Sequence, residues 1–383
     1  MKILATISRV FVGVLFIFSG LIKANDPLGF AYKLHDYYEV FGEYTLLQLF
    51  DNPFFYSIAL ETSIIICIVE VILGVALLLG YKTKLVAWTL LVTIIGFTFL
   101  TGFSAITGKV TDCGCFGDAI PLTPWQSFYK DLILLFFIGV IFTHRTKYKP
   151  LFTKERTSQV VLGLATLLSI LFTLIAYHHL PFIDFRPYKA GNNVCELRQL
   201  PEDAQQPVYE TTFIYRNKAS GEEKEFTLEN FPKGDAWEFV EQRSVLIQEG
   251  DEPKIKNFTL SNSEGETVTE AFLNREGYKV LLVCYDIAKT KTKRFDEINT
   301  LQQKLEANGI PMFGVSASGD AEVEAFRHEQ QAAFPFWSSD ETELKTIVRS
   351  NPGIVLFNGC EVVKKWHWRD TPTFTKLNEQ YFQ

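Results

Sequence analysis

Long apolar runs fill the first half of the chain, and short runs mixed with charged residues fill the second half. A helix needs about 20 mostly apolar residues to cross the hydrocarbon core of a bilayer. The predicted spans are Ile3–Ile22, Tyr56–Leu79, Leu85–Phe103, Phe128–Phe142 and Val160–Ala176. The fourth run is the shortest, but Trp125 and Tyr129 extend it at an interface. No small-residue cleavage site closes the first run, so we interpret it as a retained helix rather than a signal peptide.

Basic residues predict how these spans are oriented. The loop between the second and third spans contains Lys82 and Lys84, and the loop between the fourth and fifth is rich in Lys and Arg. Such loops face the cytoplasm. We therefore expect a cytoplasmic N-terminus and an outer location for everything after His178. In a bacterium with two membranes, the protein lies in the inner membrane and its C-terminal domain is periplasmic.

The second half begins with a predicted β-hairpin, Val208–Tyr215 and Glu225–Leu228, around a turn at Lys218–Gly221. From about Glu252, strands alternate with helices, which is typical of an α/β unit of thioredoxin size. The strands are Val280–Tyr285, Pro311–Ser316, Ile354–Phe357 and Glu361–Lys365, and the helices are Thr292–Asn308 and Asp320–Gln331.

The predicted fold class is a membrane α-helical bundle, a four-helix core plus a fifth helix, followed by an α/β thioredoxin-like domain. The expected units are 1–145 (four-helix membrane domain), 146–180 (cytoplasmic basic loop and fifth helix), 181–251 (linker with hairpin) and 252–383 (outer domain). The net charge of −7 and the absence of a basic cluster argue against nucleic-acid binding.

The sharpest local motif is Asp112-Cys113-Gly114-Cys115-Phe116-Gly117, in the predicted outer loop between the third and fourth spans. An oxidising compartment favours disulfides. A ring closed across one residue departs from relaxed disulfide geometry, and strained, accessible disulfides are the labile or catalytic ones. Three interpretations remain open: a redox-active pair, a structural pair, or two ligands of a metal. No nearby His or further Cys completes a zinc site.

The first 145 residues or so resemble the DoxX/MauE group of four-helix membrane proteins, which are related to membrane redox proteins of the vitamin K epoxide reductase type. The matching motifs are Arg9, Gly13, Phe18-Ser19-Gly20-Leu21-Ile22-Lys23, Glu70-Val71-Ile72-Leu73-Gly74, Leu79-Gly80-Tyr81 and Cys113-Gly114-Cys115-Phe116-Gly117. The resemblance implies electron or disulfide exchange at the outer face, with a quinone as the candidate cofactor. The chain departs from the pattern by adding a fifth helix and a large outer domain.

Charged residues lie within or beside the predicted spans. A charge at membrane depth costs at least about 2.5–3.5 kcal/mol on insertion scales, so it normally faces a partner or a cavity. Arg9 either pairs with Glu70 or extends to the cytoplasmic headgroups. Lys23 and Asp131 belong near the outer face with the cysteine pair, where a solvated interface charge is the alternative.

Residues 255–368 resemble the thioredoxin-like, peroxiredoxin-type fold. The strand at Lys279–Val283 matches its central strand, and Asn351-Pro352 matches its cis-proline loop. The redox motif should follow the central strand, but Ala288–Thr292 contains no cysteine there. A thiolate mechanism needs a thiol, so we expect a degenerate, non-catalytic docking module.

These observations favour a membrane thiol–disulfide oxidoreductase in which Cys113 and Cys115 exchange electrons outside the membrane. A non-enzymatic scaffold or assembly subunit of a cell-envelope complex is the alternative, and a transporter is a third candidate, suggested by Arg9 and Glu70. The expected partners are membrane lipid and a periplasmic client or envelope protein. We expect no bound metal. Cys195 and Cys360 lie outside and are either thiols or a pair, and Cys284 is interpreted as a buried apolar residue.

Overall fold

The computed structural model describes residues 2–110, 114–227, 230–232, 235–248 and 250–382. Its first half forms seven helices within these ranges. They are α1 (Lys2–Asn25), α2 (Pro27–Gly42), α3 (Pro53–Ser57), α4 (Ala59–Leu79), α5 (Thr83–Thr107), α6 (Pro124–His144) and α7 (Glu155–His178). Among the described residues, α1, α4, α5, α6 and α7 are long and apolar enough to cross a membrane. The five predicted spans are therefore confirmed.

The membrane part is a bundle in which α1 packs against α4, and α5 against α6. Its core contains Val12, Leu77, Leu90 and Ile138, none of which has more than a trace of exposed surface. The fifth span, α7, packs on the outside of α1 and α4. Many apolar side chains face outward because the surrounding lipid is itself apolar.

Helix α2 was not expected from the sequence. Asp26 caps it by accepting a hydrogen bond from the Gly29 amide at 2.9 Å, and Pro27 occupies its first turn. Its apolar side chains follow helical spacing and bury Phe30, Leu34 and Tyr38 against the bundle. The segment 23–55, which we predicted to be an outer loop, therefore begins with an ordered helix.

The outer part contains two sheets. The smaller is antiparallel, with strand order β2-β1-β3, and comprises β1 (Val208–Asn217), β2 (Glu223–Phe226) and β3 (Trp237–Gln248). The predicted hairpin corresponds to β1 and β2, although Leu228, at the end of its second predicted strand, lies outside the described residues. We predicted two strands here, and β3 is a third that the sequence analysis missed.

The larger sheet has the order β6-β5-β4-β7-β8 and the thioredoxin-like arrangement expected from the sequence. Strands β4 and β5, and β5 and β6, pair in parallel, whereas β7 is antiparallel to both β4 and β8. Its strands are β4 (Tyr278–Val283), β5 (Met312–Ser316), β6 (Phe336–Ser338), β7 (Gly353–Asn358) and β8 (Glu361–His367). The helices of the outer part are α8 (Val194–Leu197), α9 (Thr269–Leu273), α10 (Phe295–Ala307), α11 (Asp320–Gln330), α12 (Glu341–Ile347) and α13 (Phe374–Leu377).

The segment that follows α7 is part of the outer domain. Tyr188 and Val194 are fully buried in the core on one face of the larger sheet. A disulfide joins Cys195 to Cys360 in the β7–β8 turn. The two cysteines that the sequence left as thiols or a pair are therefore a pair. Cys284 is fully buried, as expected of an apolar core residue.

Candidate functional site

A buried ion pair lies directly beneath the cysteine loop. Lys23 Nζ lies 2.6 Å from Glu70 Oε1, and the two side chains are only 4% and 2% exposed. The Ser19 hydroxyl lies 3.0 Å from Glu70 Oε2 and 3.1 Å from the backbone carbonyl oxygen of Cys115. Lys23 Nζ also donates to Ser19 Oγ at 3.0 Å. Ser19 therefore links the ion pair to the cysteine loop.

Close packing of α1 on α4 makes this pair possible. Ser19 and Lys23 are four residues apart and therefore share one face of α1. Between them, Gly20 lies so close to α4 that an added Cβ would be 2.7 Å from Val71 Cγ2 and 2.9 Å from the Cys67 carbonyl oxygen. A helix interface with small residues allows the two backbones to approach closely.

A second ion pair, in which only the carboxylate is fully buried, comes from α6. Lys130 Nζ lies 2.7 Å from Asp131 Oδ1, and Thr101 on α5 donates to Asp131 Oδ2 at 3.0 Å. Asp131 is 1% exposed. The Lys130 ammonium also interacts with the sulfur of Cys115.

The two ion pairs and Cys115 line one cavity within the bundle. Its other walls are apolar and include Phe16, Phe97 and Leu134. Each ammonium group has a carboxylate partner, as a buried charge requires. A thiolate on Cys115 would add one negative charge beside Lys130 and near Lys23, and adjacent cations stabilise a thiolate. The arrangement is therefore suited to a reactive cysteine.

The structure brings together Lys23, Glu70 and Asp131 of the predicted supporting charges. Arg9 lies elsewhere: its Nε donates to the Leu77 carbonyl at 2.8 Å and its Nη2 to the Leu78 carbonyl at 2.5 Å. Of the two alternatives for Arg9, the pairing with Glu70 is wrong, because Arg9 extends to the C-terminal end of α4 and donates to carbonyls of its last turn.

Three other outcomes concern residues of the loop and its surroundings. Cys113 lies outside the described residues. Sequence reasoning missed the role of Ser19, although its spacing from Lys23 was a usable signal. It also missed Lys130, because a lysine near the end of a span is typical of an ordinary interface anchor.

The outer domain docks on this end of the bundle through Arg349, which follows α12. Its Nε lies 2.8 Å from Asp26 Oδ2 and its Nη2 lies 3.3 Å from Asp118 Oδ2. The Arg349 side chain is 9% exposed. Burial opposes ionisation of Asp26, but the charges of Arg349 and Arg186, together with hydrogen bonds from Arg349 and the Gly29 amide, lower the pKa of that carboxyl below its usual value. Burial likewise opposes the Arg349 charge, yet Asp26 and Asp118 raise its pKa.

Two aromatic contacts extend the same interface. The hydroxyl oxygens of Tyr32 on α2 and Tyr285 after β4 lie 3.0 Å apart. The Lys345 ammonium lies 4.7 Å from the centre of the Tyr32 ring, a distance at which a cation is attracted to an aromatic face. The side of the thioredoxin-like domain where its redox motif would lie therefore contacts α2.

The predicted cis-proline loop is present, and the Asn351–Pro352 peptide bond is cis. Asn351 Nδ2 donates to the Asp286 carbonyl at 2.7 Å, and its Oδ1 accepts from the Thr290 hydroxyl at 3.0 Å. These contacts attach the loop to the segment 286–291, where a redox motif would begin. Burial raises the pKa of Cys284, the cysteine nearest to this segment along the chain.

Fold and site together define a membrane helical bundle that carries a thioredoxin-like outer domain and a cysteine loop between them. Comparisons with known families agree with both parts. Residues 1–144 match the family model of methylamine utilisation protein MauE, and residues 252–347 match the AhpC/TSA family. Residues 209–249, which contain the small sheet, match a domain of unknown function, DUF8463.

One curated relative is Protein TlpB of Flavobacterium psychrophilum, which is 30% identical over 173 residues. That match covers 42% of each chain, so it spans less than half the length of the relative.

Among solved structures, the chain is similar to a putative protein disulfide isomerase from Bacteroides thetaiotaomicron (18% identity, TM-score 0.27). That similarity covers 32% of this chain and 82% of the other. It is also similar to a putative thioredoxin from Neisseria meningitidis (16% identity, TM-score 0.27), over 32% of this chain and 84% of the other.

Proposed function

We propose that this protein is a membrane thiol–disulfide oxidoreductase whose reactive groups are Cys113 and Cys115. The observation that carries the proposal is the position of Cys115, which lines a buried cavity together with the ammonium groups of Lys23 and Lys130. A structural cysteine needs no such surroundings and is usually inert in apolar packing. Here two cations approach the loop from two different helices, at the energetic cost of burying their carboxylate partners as well.

The proposed reaction is a thiol–disulfide exchange. A client thiolate attacks one sulfur of a Cys113–Cys115 disulfide, and the other sulfur leaves as a thiolate. Where the leaving thiolate is that of Cys115, Lys130 stabilises it. The second client thiolate then displaces the remaining cysteine from the mixed disulfide. The client loses two electrons and two protons and gains a disulfide, while the pair gains them as two thiols. A lipid-soluble quinone, the co-reactant we propose, would accept the two electrons and two protons released when the two thiols return to the disulfide.

We place the cysteine loop and the outer domain on the periplasmic side of a bacterial inner membrane. The basic loop that precedes α7 supports this orientation, because loops rich in Lys and Arg face the cytoplasm. The Cys195–Cys360 disulfide supports it independently, because disulfides persist in oxidising compartments and are rare in the cytosol. We also propose unit boundaries near residues 145, 180 and 251, and a docking role for the thioredoxin-like domain, whose segment 288–292 contains no cysteine.

A scaffold or assembly subunit of an envelope complex is the second candidate. One observation favours it: the small sheet exposes large apolar side chains, among them Phe239, Val245 and Ile247, each more than half exposed. Clustered apolar surface outside a membrane often marks a protein-binding site. In that case the cysteine loop would have only a structural role.

Replacing Cys113 or Cys115 with Ser is expected to abolish function and to leave the folded protein in the membrane. Alkylation followed by mass spectrometry of isolated membranes, poised over a range of redox potentials, should show both cysteines changing together between thiol and disulfide. Cys284→Ala is the matched control, because Cys284 is buried in the core of the thioredoxin-like domain and does not line the bundle cavity.

Two outcomes would favour the scaffold instead. One is that both thiols stay reduced at every potential. The other is that the double serine variant supports normal growth under conditions where deletion of the gene does not.

A further inference from the structure

The thioredoxin-like domain covers the cysteine loop instead of presenting its cis-proline side to solvent. Arg349 lies two residues before Asn351 and reaches across to Asp118, three residues beyond Cys115 in the chain. The same guanidinium holds Asp26, at the junction of α1 and α2. One side chain of the outer domain thus binds both segments that border the cysteine loop.

In this arrangement the cysteine loop is too enclosed to admit a client polypeptide. Gly114 and Phe116 are buried, and Cys115 is 9% exposed. The Lys33 side chain of α2 lies 3.2 Å from the position that a Cβ on Gly114 would take. A narrow cavity above the loop is closed by Arg349 and by the segment 181–186.

Thiol–disulfide exchange requires the sulfur of a partner to approach the attacked sulfur directly. A client polypeptide cannot bring a sulfur to Cys115 while α2 and Arg349 cover the loop. We propose that the outer domain is a latched cap: the Arg349–Asp26–Asp118 contact holds it closed, and release of this contact opens Cys115 to a client. The cap regulates the cysteine site, so its biological meaning rests on the proposed function.

The closed side of the domain supports this role. Tyr285 and Lys345 border the place where a redox motif would lie. Both contact Tyr32 of the same chain, Tyr285 through its hydroxyl and Lys345 through its ammonium group. Helix α2 thus covers the cis-proline side of the domain. A domain that serves as a cap needs no cysteines of its own, and the segment 288–292 has none.

The test measures how fast Cys115 reacts with a membrane-impermeant maleimide in the full-length protein in membranes, read by mass spectrometry of the peptide that contains it. A Cys113→Ser background ensures that a disulfide to Cys113 does not withhold Cys115 from the reagent. Arg349→Gln removes the charge that holds both carboxylates and should raise the labelling rate at least tenfold. Arg327→Gln is the matched control, because Arg327 forms an ion pair with Glu324 on its own helix, α11, and it should leave the rate unchanged.

A second variant changes a residue on the membrane part of the chain that Arg349 contacts. It tests the same contact independently, in case Arg349→Gln misfolds. Asp118→Asn removes one of the two carboxylates and should raise the rate by a smaller factor. Adding Asp118→Asn to Arg349→Gln should change the rate no further, because both changes break the same contact.

Equal labelling rates in the parent, Arg349→Gln and Asp118→Asn proteins would overturn the cap. So would a parent protein that already reacts as fast as an unfolded control. The labelling rates do not depend on enzymatic turnover, so they can refute the cap without refuting the proposed redox reaction. Conversely, a latched cap over cysteines that never change redox state would leave the cap intact and remove the proposed function.

Discussion

Two ammonium groups reach the neighbourhood of Cys115 from different helices, and their roles differ. Lys23 is held by Glu70 and Ser19, so its charge is already balanced by a carboxylate 2.6 Å away. Lys130 shares its charge between Asp131 and the Cys115 sulfur. We therefore expect Lys130, rather than Lys23, to set the reactivity of the cysteine.

Replacing Lys130 with Met should slow alkylation of Cys115 at neutral pH by about tenfold and move the pH profile of the reaction to higher pH, because an adjacent cation favours the thiolate. Lys130→Arg keeps the charge and should restore most of the rate. The measurement is the alkylation rate between pH 6 and pH 10 in membranes, in the Arg349→Gln protein if the cap limits access.

Lys109→Met is the control for this prediction, because Lys109 lies in the same outer loop but pairs with Glu43 at the surface. A pH profile that is the same in Lys130→Met and Lys109→Met would show that Lys130 has only a structural role.

The sequence predicted three members of this cluster by a simple argument: charges beside a span need a partner or a cavity. It could not predict which charges pair. Arg9 and Glu70 were expected at compatible depths, but Glu70 pairs with Lys23, which lies four residues after Ser19 in the C-terminal half of α1. The choice depends on the rotation of two helices about their axes, and only tertiary packing fixes that rotation.

At the level of elements, the contact between α1 and α4 is the feature on which the site depends. Three glycines allow the two backbones to touch: Gly20, and the facing pair Gly13 and Gly74 two turns away. An added Cβ on Gly74 would lie 2.6 Å from the Gly13 carbonyl oxygen. This spacing brings Lys23 within reach of Glu70.

Gly20→Val should force α1 away from α4 and separate Lys23 from Glu70. Overpacking of this kind typically costs about 1–3 kcal/mol, and an ion pair broken in a buried site adds to the loss. We expect a lower melting temperature in detergent and slower alkylation of Cys115. Gly139→Val on α6 is the control, because an added Cβ there meets no atom within 4 Å. Equal melting temperatures for the two variants would contradict the role given to Gly20.

Two elements escaped the sequence analysis for different reasons. Helix α2 carries a helical pattern at Phe30, Leu34 and Tyr38, but its many polar residues and short length hide it among long apolar runs. The described side chains of strand β3 are exposed apart from Trp237, so the strand lacks the alternation of apolar and polar residues that indicates a half-buried strand. The α/β alternation was predictable because buried strands such as β4 form continuous apolar runs.

At the scale of the whole molecule, the orientation in the membrane decides whether the cysteine loop can act in disulfide chemistry at all. A reporter fused after Gln383 that is active only when exported should be active, and one that is active only in the cytoplasm should be silent, because the proposed orientation, based on the basic loops, puts the C-terminus outside. A fusion in the loop between α6 and α7 should show the opposite pattern and serves as the internal control.

The reverse result would put both the cysteine loop and the Cys195–Cys360 disulfide in a reducing compartment and would refute the proposed location.

The docking of the outer domain on α2 could not have been predicted from either half of the sequence, because it joins Arg349 to Asp26 across most of the chain.

The connection between α7 and the outer domain is very short. Residue 178 ends α7, whereas Tyr188 already lies in the core of the outer domain and Cys195 is bonded to the β7–β8 turn. A chain spans at most about 3.6 Å per residue, so the segment between residue 178 and Tyr188 can reach no farther than about the width of the domain itself. A released domain therefore stays at a high effective concentration beside the loop. Return to the bundle is a first-order event that does not depend on protein concentration, and a client has to compete with the protein's own domain for each encounter.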